Sequence, residues 1–191
     1  MKRIPIVATL IVAAACATMI GLGVWQLQRA AWKEGLLDEY RTAAAKSAMA
    51  FPAVPYPNDL PLFRRASGFC LKVISWSSSS GRNLKGQSGW SHQAQCSTGA
   101  EGPGMLVDAG WSRTPDHPAW AGGVVNGTIA PDTKRVLRLV SDAPLAAGLL
   151  ATAPPSPEDL PNNHFGYAVQ WFLFAGIAAL IFALALRRLR A

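Results

Sequence analysis

Charge is what this chain has least of. Of its 191 residues only 15% are Asp, Glu, Lys or Arg, while 50% are apolar; a soluble domain carries about 25% charged residues. That balance excludes an ordinary soluble protein. The chain is also poor in chemistry-bearing motifs. Its three histidines, His92, His117 and His164, lie far apart, and none belongs to an HExxH pattern. There is no GxSxG, no Walker loop and no GxGxxG opening a helix, so hydrolase or transferase chemistry has little support and we expect no enzyme. With three cysteines and no CxxC or CxxxC pair, a thiol-based copper chaperone is disfavoured. Repeats and low-complexity tracts are missing too, and seven tryptophans with 17 glycines argue against disorder.

What is present is concentrated at the two ends. Between Arg3 and Arg29 lie 25 residues without a charge, and between Asp159 and Arg187 lie 27 more. A bilayer core about 30 Å thick needs about 20 helical residues, so each run is long enough to cross once. We expect transmembrane helices over Ile4 to about Val24 and over Phe165 to Leu186. The first run also resembles a signal peptide, with Lys2 and Arg3 as an n-region and Ala13, Ala14 and Ala15 before Cys16. An h-region stops after about 7 to 15 residues, however, and this one continues through Met19, Ile20, Leu22 and Val24 to Trp25. An uncleaved anchor is the better reading.

Short basic flanks set the expected orientation. Lys2 and Arg3 precede the first span, and Arg187, Arg188 and Arg190 follow the second, which places both termini in the cytoplasm. Residues 29 to 163 then lie together on the outer side, with 13 Lys plus Arg against 11 Asp plus Glu. The formal charge of +7 is thus mainly a topology signal. No basic face interleaved with aromatics accompanies it, so nucleic acid is set aside as a partner and the lipid bilayer takes its place. The arrangement fits a bacterial inner membrane with the central segment in the periplasm.

Residues 1 to 28 are therefore read as an N-terminal membrane helix, 29 to 163 as a periplasmic domain with a helical lead-in, and 164 to 191 as the second membrane helix with a basic tail. The lead-in runs from Gln28 to Met49. Pro52, Pro55, Pro57 and Pro61 make an extended connector, and a second one spans Ala153 to Pro161. Between them, short apolar runs predict strands over Phe63 to Trp76, Gly89 to Cys96, Gly104 to Trp111, Gly122 to Ala130 and Lys134 to Val140. Turns are expected at Ser77 to Asn83, Gly99 to Pro103 and Ala130 to Thr133. The fold class is α+β, two membrane helices flanking a small antiparallel, barrel-like β domain. Cys70 and Cys96, 26 apart and both in the outer segment, fit no zinc pattern and are expected to form a disulfide.

Position singles out His164, where the outer connector meets the second apolar run in Pro161-Asn162-Asn163-His164-Phe165-Gly166-Tyr167. An imidazole in the first helical turn at headgroup depth can face an apolar cofactor, and histidine is the common axial ligand of haem iron. It can equally cap the helix or touch headgroups. His117, in a TPDHP turn, and His92, in a strand, read as ordinary loop and sheet residues. Trp25, Trp32, Tyr167 and Trp171 lie near the outer ends of the spans, as interfacial anchors do, or as walls of a groove with Phe165, Phe172 and Phe174. Arg29 and Lys33, four apart on one helical face, suit lipid phosphates or the carboxylates of a ligand.

Two segments carry a resemblance. Gly23-Val24-Trp25-Gln26-Leu27-Gln28-Arg29-Ala30-Ala31-Trp32-Lys33 and Asn162-Asn163-His164-Phe165-Gly166-Tyr167-Ala168-Val169-Gln170-Trp171-Phe172 resemble the signature motifs of the Surfeit locus protein one family. Those motifs run G-x-W-Q-x-x-R-x-x-W-K and N-N-H-x-x-Y-A-x-Q/T-W-F, and every fixed position is filled. In the middle, Val107-Asp108-Ala109-Gly110-Trp111-Ser112 resembles the family's V-N-R-G-W-V, with Asp108 and Ala109 where the family has Asn and Arg. The resemblance implies an assembly factor for cytochrome c oxidase that binds haem a and helps to install it in the largest oxidase subunit, with haem a synthase as a second candidate partner. It implies His164 as the ligand to haem iron, Arg29 or Lys33 near the propionates, and Trp25, Trp32, Tyr167 and Trp171 around the cofactor. The competing reading is a membrane scaffold that holds the nascent subunit without touching haem.

Overall fold

The computed structural model describes residues 6–43, 45–52, 54–56, 59–99, 102 and 104–190, the last two of these without their side chains. The flanking charges Lys2 and Arg3, the side chain of Arg190, Pro57, and residues 100, 101 and 103 of the expected turn at Gly99 to Pro103 lie outside the described residues. The chain divides into two compact units. One comprises Met1–Leu37 with Pro161–Ala191, the other Asp38–Leu160.

The first unit is a pair of antiparallel helices. Helix α1 spans Ile6–Ala43, its last turns belonging to the second unit, and α2 spans His164–Arg190. Both are long and apolar enough to cross a membrane. Their least exposed positions alternate in steps of three and four: Thr9, Val12, Cys16, Met19, Gly23, Gln26, Ala30 and Lys33 on α1, and His164, Ala168, Trp171, Ala175, Ala178 and Phe182 on α2. A 3–4 spacing puts one stripe of each helix against its neighbour, as in a coiled-coil seam. Small residues let the backbones approach. Gly23 lies under the ring of Phe172, where an added Cβ would come within 2.7 Å of ring carbons, and the Cys16 thiol reaches the Ala175 carbonyl at 3.6 Å. Ile6, Val7, Leu10, Ile11, Ile177, Leu180 and Ile181 face outward and exposed, as the composition of a lipid-facing surface requires.

The second unit is built on one seven-stranded sheet: β1 (Met49–Ala50), β2 (Arg65–Cys70), β3 (Lys72–Arg82), β4 (Ser88–Ser97), β5 (Met105–Ser112), β6 (Gly123–Asp132) and β7 (Val136–Ser141). Strand order is β1-β2-β6-β7-β5-β4-β3. Two expectations need correcting. The sheet is mixed, because β1 with β2 and β5 with β7 pair in parallel. It is also open, since β1 and β3 stand at its ends without pairing. It is nevertheless curled. Leu71 alone separates β2 from β3, donating its N–H to the Ser97 carbonyl at 2.8 Å, and Cys70 on β2 is bonded to Cys96 on β4 with 5.2 Å between their Cα atoms.

Local corrections follow from the same register. Ser77 to Arg82 are strand, paired with Ser88 to Gln93, where a turn was expected. The hairpin turns instead at Asn83, whose side-chain carbonyl accepts the N–H groups of Lys85 (2.9 Å) and Gln87 (3.0 Å), with Gly86 at φ +74°. That is Asx-turn chemistry. The Lys134 strand begins only at Val136, because β6 runs on to Asp132 and the Asp132 carboxylate caps the turn through the N–H groups of Lys134 and Arg135, both at 2.8 Å. The helical lead-in ends at Ala43 instead of Met49. Pro157–Asp159, within the second connector, form a short 3-10 helix capped by Ser156.

One core face collects Ala66, Cys70, Ala94, Cys96, Met105, Val107, Val125, Ile129, Leu137 and Leu139 from the strands, with Leu62, Phe63 and Ala43. Tyr40 packs on Phe63, rings 5.1 Å apart, so the last turns of α1 are part of this core.

Candidate functional site

All seven residues expected at a cofactor lie in the helical unit: Trp25, Arg29, Trp32, Lys33, His164, Tyr167 and Trp171. The structure sorts them by helical face. Trp25, Arg29 and Trp32 follow one another at spacings of four and three and form a single exposed stripe, with Trp25 at 53% and Trp32 at 55% exposure. The guanidinium of Arg29 lies over the Trp32 ring, 4.0 Å from its centroid, a cation–π contact that holds the charge beside an aromatic plane. Lys33 instead turns to the segment that leads into α2 and donates to the Pro161 carbonyl. Neither cation is paired with a carboxylate among the described residues.

His164 opens α2 and sits in the seam. Its Nδ1 lies 2.7 Å from Oε1 of Gln26 on α1. With a carbonyl oxygen as partner, Nδ1 is the donor, and in the neutral ring Nε2 then holds the lone pair. Metal-binding histidines are oriented in this way, one nitrogen fixed by an acceptor and the other presented. Gln26, its partner, is not among the residues expected at the site. It stood inside the first motif, seven residues before Lys33 and three after Gly23, and that spacing places it on the helix-pairing face. Asn162 donates to Glu34 at 3.5 Å, while its side-chain oxygen is buried with no partner among the described residues. An acceptor is thus left over two residues from the imidazole. Tyr167 is half exposed. Trp171 is partly buried in the seam and meets Phe174 edge-on at 6.3 Å, so it braces α2 more than it lines an outer wall.

A family model described as the SURF1 family matches residues 13–176. The chain belongs to the SURF1 family. That match runs from the first span through the β domain and into α2, so both motif segments fall within it. SURF1 family proteins serve cytochrome oxidase assembly and are not a class of enzymes. No curated protein matches the chain significantly. Among the described residues no group of three or more His, Cys, Asp or Glu is placed to hold a metal ion.

The structure also joins two histidines that the sequence kept apart. His92 and His117 approach to 6.2 Å between ring centroids. Ser112 donates its hydroxyl to the Thr114 carbonyl at 2.6 Å, so it must accept from Nε2–H of His92 at 2.8 Å. Ser78 Oγ donates to the Pro115 carbonyl at 3.1 Å and lies 3.3 Å from Nδ1 of His92 and 3.4 Å from Nδ1 of His117. His117 is exposed, as a loop residue should be, but it stacks on Trp76 with ring centroids 6.0 Å apart. Burial, and then the neighbouring His117, lower the His92 pKa below 6.5, against smaller opposing effects of Asp108, Thr114 and Asp116. This cluster fastens the loop after β5 to the sheet.

Proposed function

We propose that this protein is an assembly factor for cytochrome c oxidase that holds haem a at the outer end of its helix pair and helps to install it in the largest oxidase subunit. The observation that carries this reading is the His164–Gln26 pair. It joins the two motif segments in one hydrogen bond and leaves one imidazole nitrogen as a ligand atom. The residues present fit the group. A neutral imidazole suits haem iron, the Arg29–Trp32 pair offers a cation beside an aromatic plane for a propionate, and the unpartnered Asn162 oxygen can accept a hydroxyl. When bound, haem a would supply an iron able to take a nitrogen donor, and His164 would offer it. The protein's own residues orient that nitrogen, hold the proton on Nδ1 and flank the cofactor. A site with one protein ligand suits release to a recipient better than a closed two-ligand cage. The β domain lies in the periplasm of a bacterial inner membrane in this reading, with both termini cytoplasmic.

Two variants test it. His164→Ala should purify without the haem a that the parent protein carries after coexpression with haem a biosynthesis, whereas Gln26→Leu should retain less haem and a shifted Soret band, because Nδ1 loses its acceptor. Unchanged haem a content in His164→Ala would overturn the ligand assignment. A colourless parent protein that still captures the oxidase subunit would favour the scaffold reading.

A further inference from the structure

Strand β3 leaves one edge of the sheet open, and the prolines after it decide where. In the hairpin with β4 the Asn83 N–H bonds to the Gln87 carbonyl at 3.2 Å, so by antiparallel alternation Gly81, Ser79 and Ser77 are the residues of β3 that exchange hydrogen bonds with β4. Arg82, Ser80, Ser78 and Trp76 turn their N–H and C=O groups the other way. The connector after β7 begins to use that edge. Thr152 bridges Asn83 in antiparallel sense, and the Ala153 N–H donates to the Arg82 carbonyl at 2.8 Å. Continued in the same register, Pro154 and Pro155 would stand opposite Gly81 and Ser80. A proline has no N–H to give, and the pairing stops.

From Ser80 back to Trp76 the outward backbone groups have no backbone partner among the described residues. The loop after β5 meets this strand through side chains instead, with Ser78 Oγ on the Pro115 carbonyl and Trp76 beside His117 and Trp120. Edge strands are commonly blunted by a charge, a proline or a bulge. Here the bulge lies between Val73 and Ser75 and the charges, Lys72 and Arg82, lie at the strand's ends, so the segment from Ser75 to Ser80 has none of the three. Leu71 and Ile74, on either side of Lys72 in sequence, are exposed apolar residues.

We propose that the β3 edge from Trp76 to Ser80 takes up an extended segment of another protein as an added antiparallel strand, uncharged along the open edge and ending in an aspartate or glutamate beside Lys72. Backbone groups give an added strand its affinity, and the side chains around it choose the partner. Charge selects a foreign segment over a second copy of this chain. β3 and β4 contain no Asp or Glu, so pairing β3 with β3 would bring a second Lys72 and Arg82 to the seam and no carboxylate. An acidic end on a foreign strand answers Lys72 instead. The site lies wholly within the β unit and does not depend on the haem reading.

Amide hydrogen exchange on the full chain in detergent micelles reads this edge residue by residue. Without any peptide, the amides of Trp76, Ser78 and Ser80 should exchange fast while those of Ser77 and Ser79 are slow. The acetylated and amidated peptide Thr-Val-Thr-Val-Thr-Val-Thr-Asp should slow the three fast amides saturably, and its counterpart ending in Lys should bind several-fold more weakly. Ser80→Pro removes an outward N–H and no bond to β4, and should weaken binding of the Asp peptide by about tenfold. Three slow amides before peptide is added would mean an edge already covered, and protection that grows with protein concentration would put a second copy on it. Either result, no protection by the Asp peptide, or equal binding of the Lys peptide would overturn the proposal. All four are read on the parent protein, so they hold even where Ser80→Pro folds poorly.

Discussion

Asp108 shows how much one side chain can carry. It is 1% exposed and its three donors come from β4, from its own strand and from the segment at Thr152. An amide at this position can accept the Gly110 and Thr152 donors with its oxygen and give its own N–H to Ser91, whose hydroxyl can turn. Asp108→Asn should therefore be neutral or stabilising at pH 7, since it removes a buried charge whose burial raises its pKa. Asp108→Ala leaves the donors unanswered and should cost about 2–4 kcal/mol. Chemical unfolding of the two variants compares them directly. His92 acts with opposite sign. Its folded pKa lies below 6.5, so the unfolded chain binds more protons between that value and 6.5, and stability falls as pH drops through this window. For Asp108 the folded chain binds more protons above 3.8, and stability falls as pH rises. Urea titrations of His92→Gln should show a flattened slope just below pH 6.5, whatever the absolute stability; an unchanged slope would remove His92 from the account. The identity of both residues was plain in the sequence. Their burial was not, because strand alternation says which residues share a face and nothing about which face closes.

At the scale of elements, the helix pair is a seam and a set of outer faces, and the first motif contributes to both. Gly23, Gln26 and Lys33 belong to the seam, Trp25, Arg29 and Trp32 to an outer stripe. Gly23 is required by the Phe172 ring above it. Gly23→Leu should separate the helices, at about 1–3 kcal/mol for overpacking. In an Ala175→Cys background the native Cys16, already 3.6 Å from the Ala175 carbonyl, should cross-link under mild oxidation. Adding Gly23→Leu should abolish that cross-link, and its persistence would show that the seam tolerates the side chain. Helix existence was legible from two long uncharged runs. The strand ends were less so. The Ser77 to Ser80 run looked like a turn because serine favours turns, yet β4 pairs with every one of these residues, and the ladder outweighs a local preference.

Within the β unit, the sheet is an open ribbon in which β2 and β4, four places apart in the strand order, meet. Cys70 and Cys96 fasten that meeting, 26 residues apart in sequence. Closing a loop of that length is worth about 3–4 kcal/mol in the chain-entropy account, so replacing both cysteines by alanine should lower the stability of the β domain by about that amount. A melt of the oxidised parent against the double variant measures it. An equal melting temperature would mean that the curl is held by the core alone. The sequence by itself determined the two spans, the β-rich middle, the family motifs and the pairing of two cysteines, because each depends on length, composition or local pattern. Only the tertiary structure decided that β5 and β7 run parallel, that the sheet stays open and that Gln26 meets His164. Those depend on which strand lies beside which and on which side chains meet across more than a hundred residues, where loop-closure entropy is similar for many pairings and packing alone selects one.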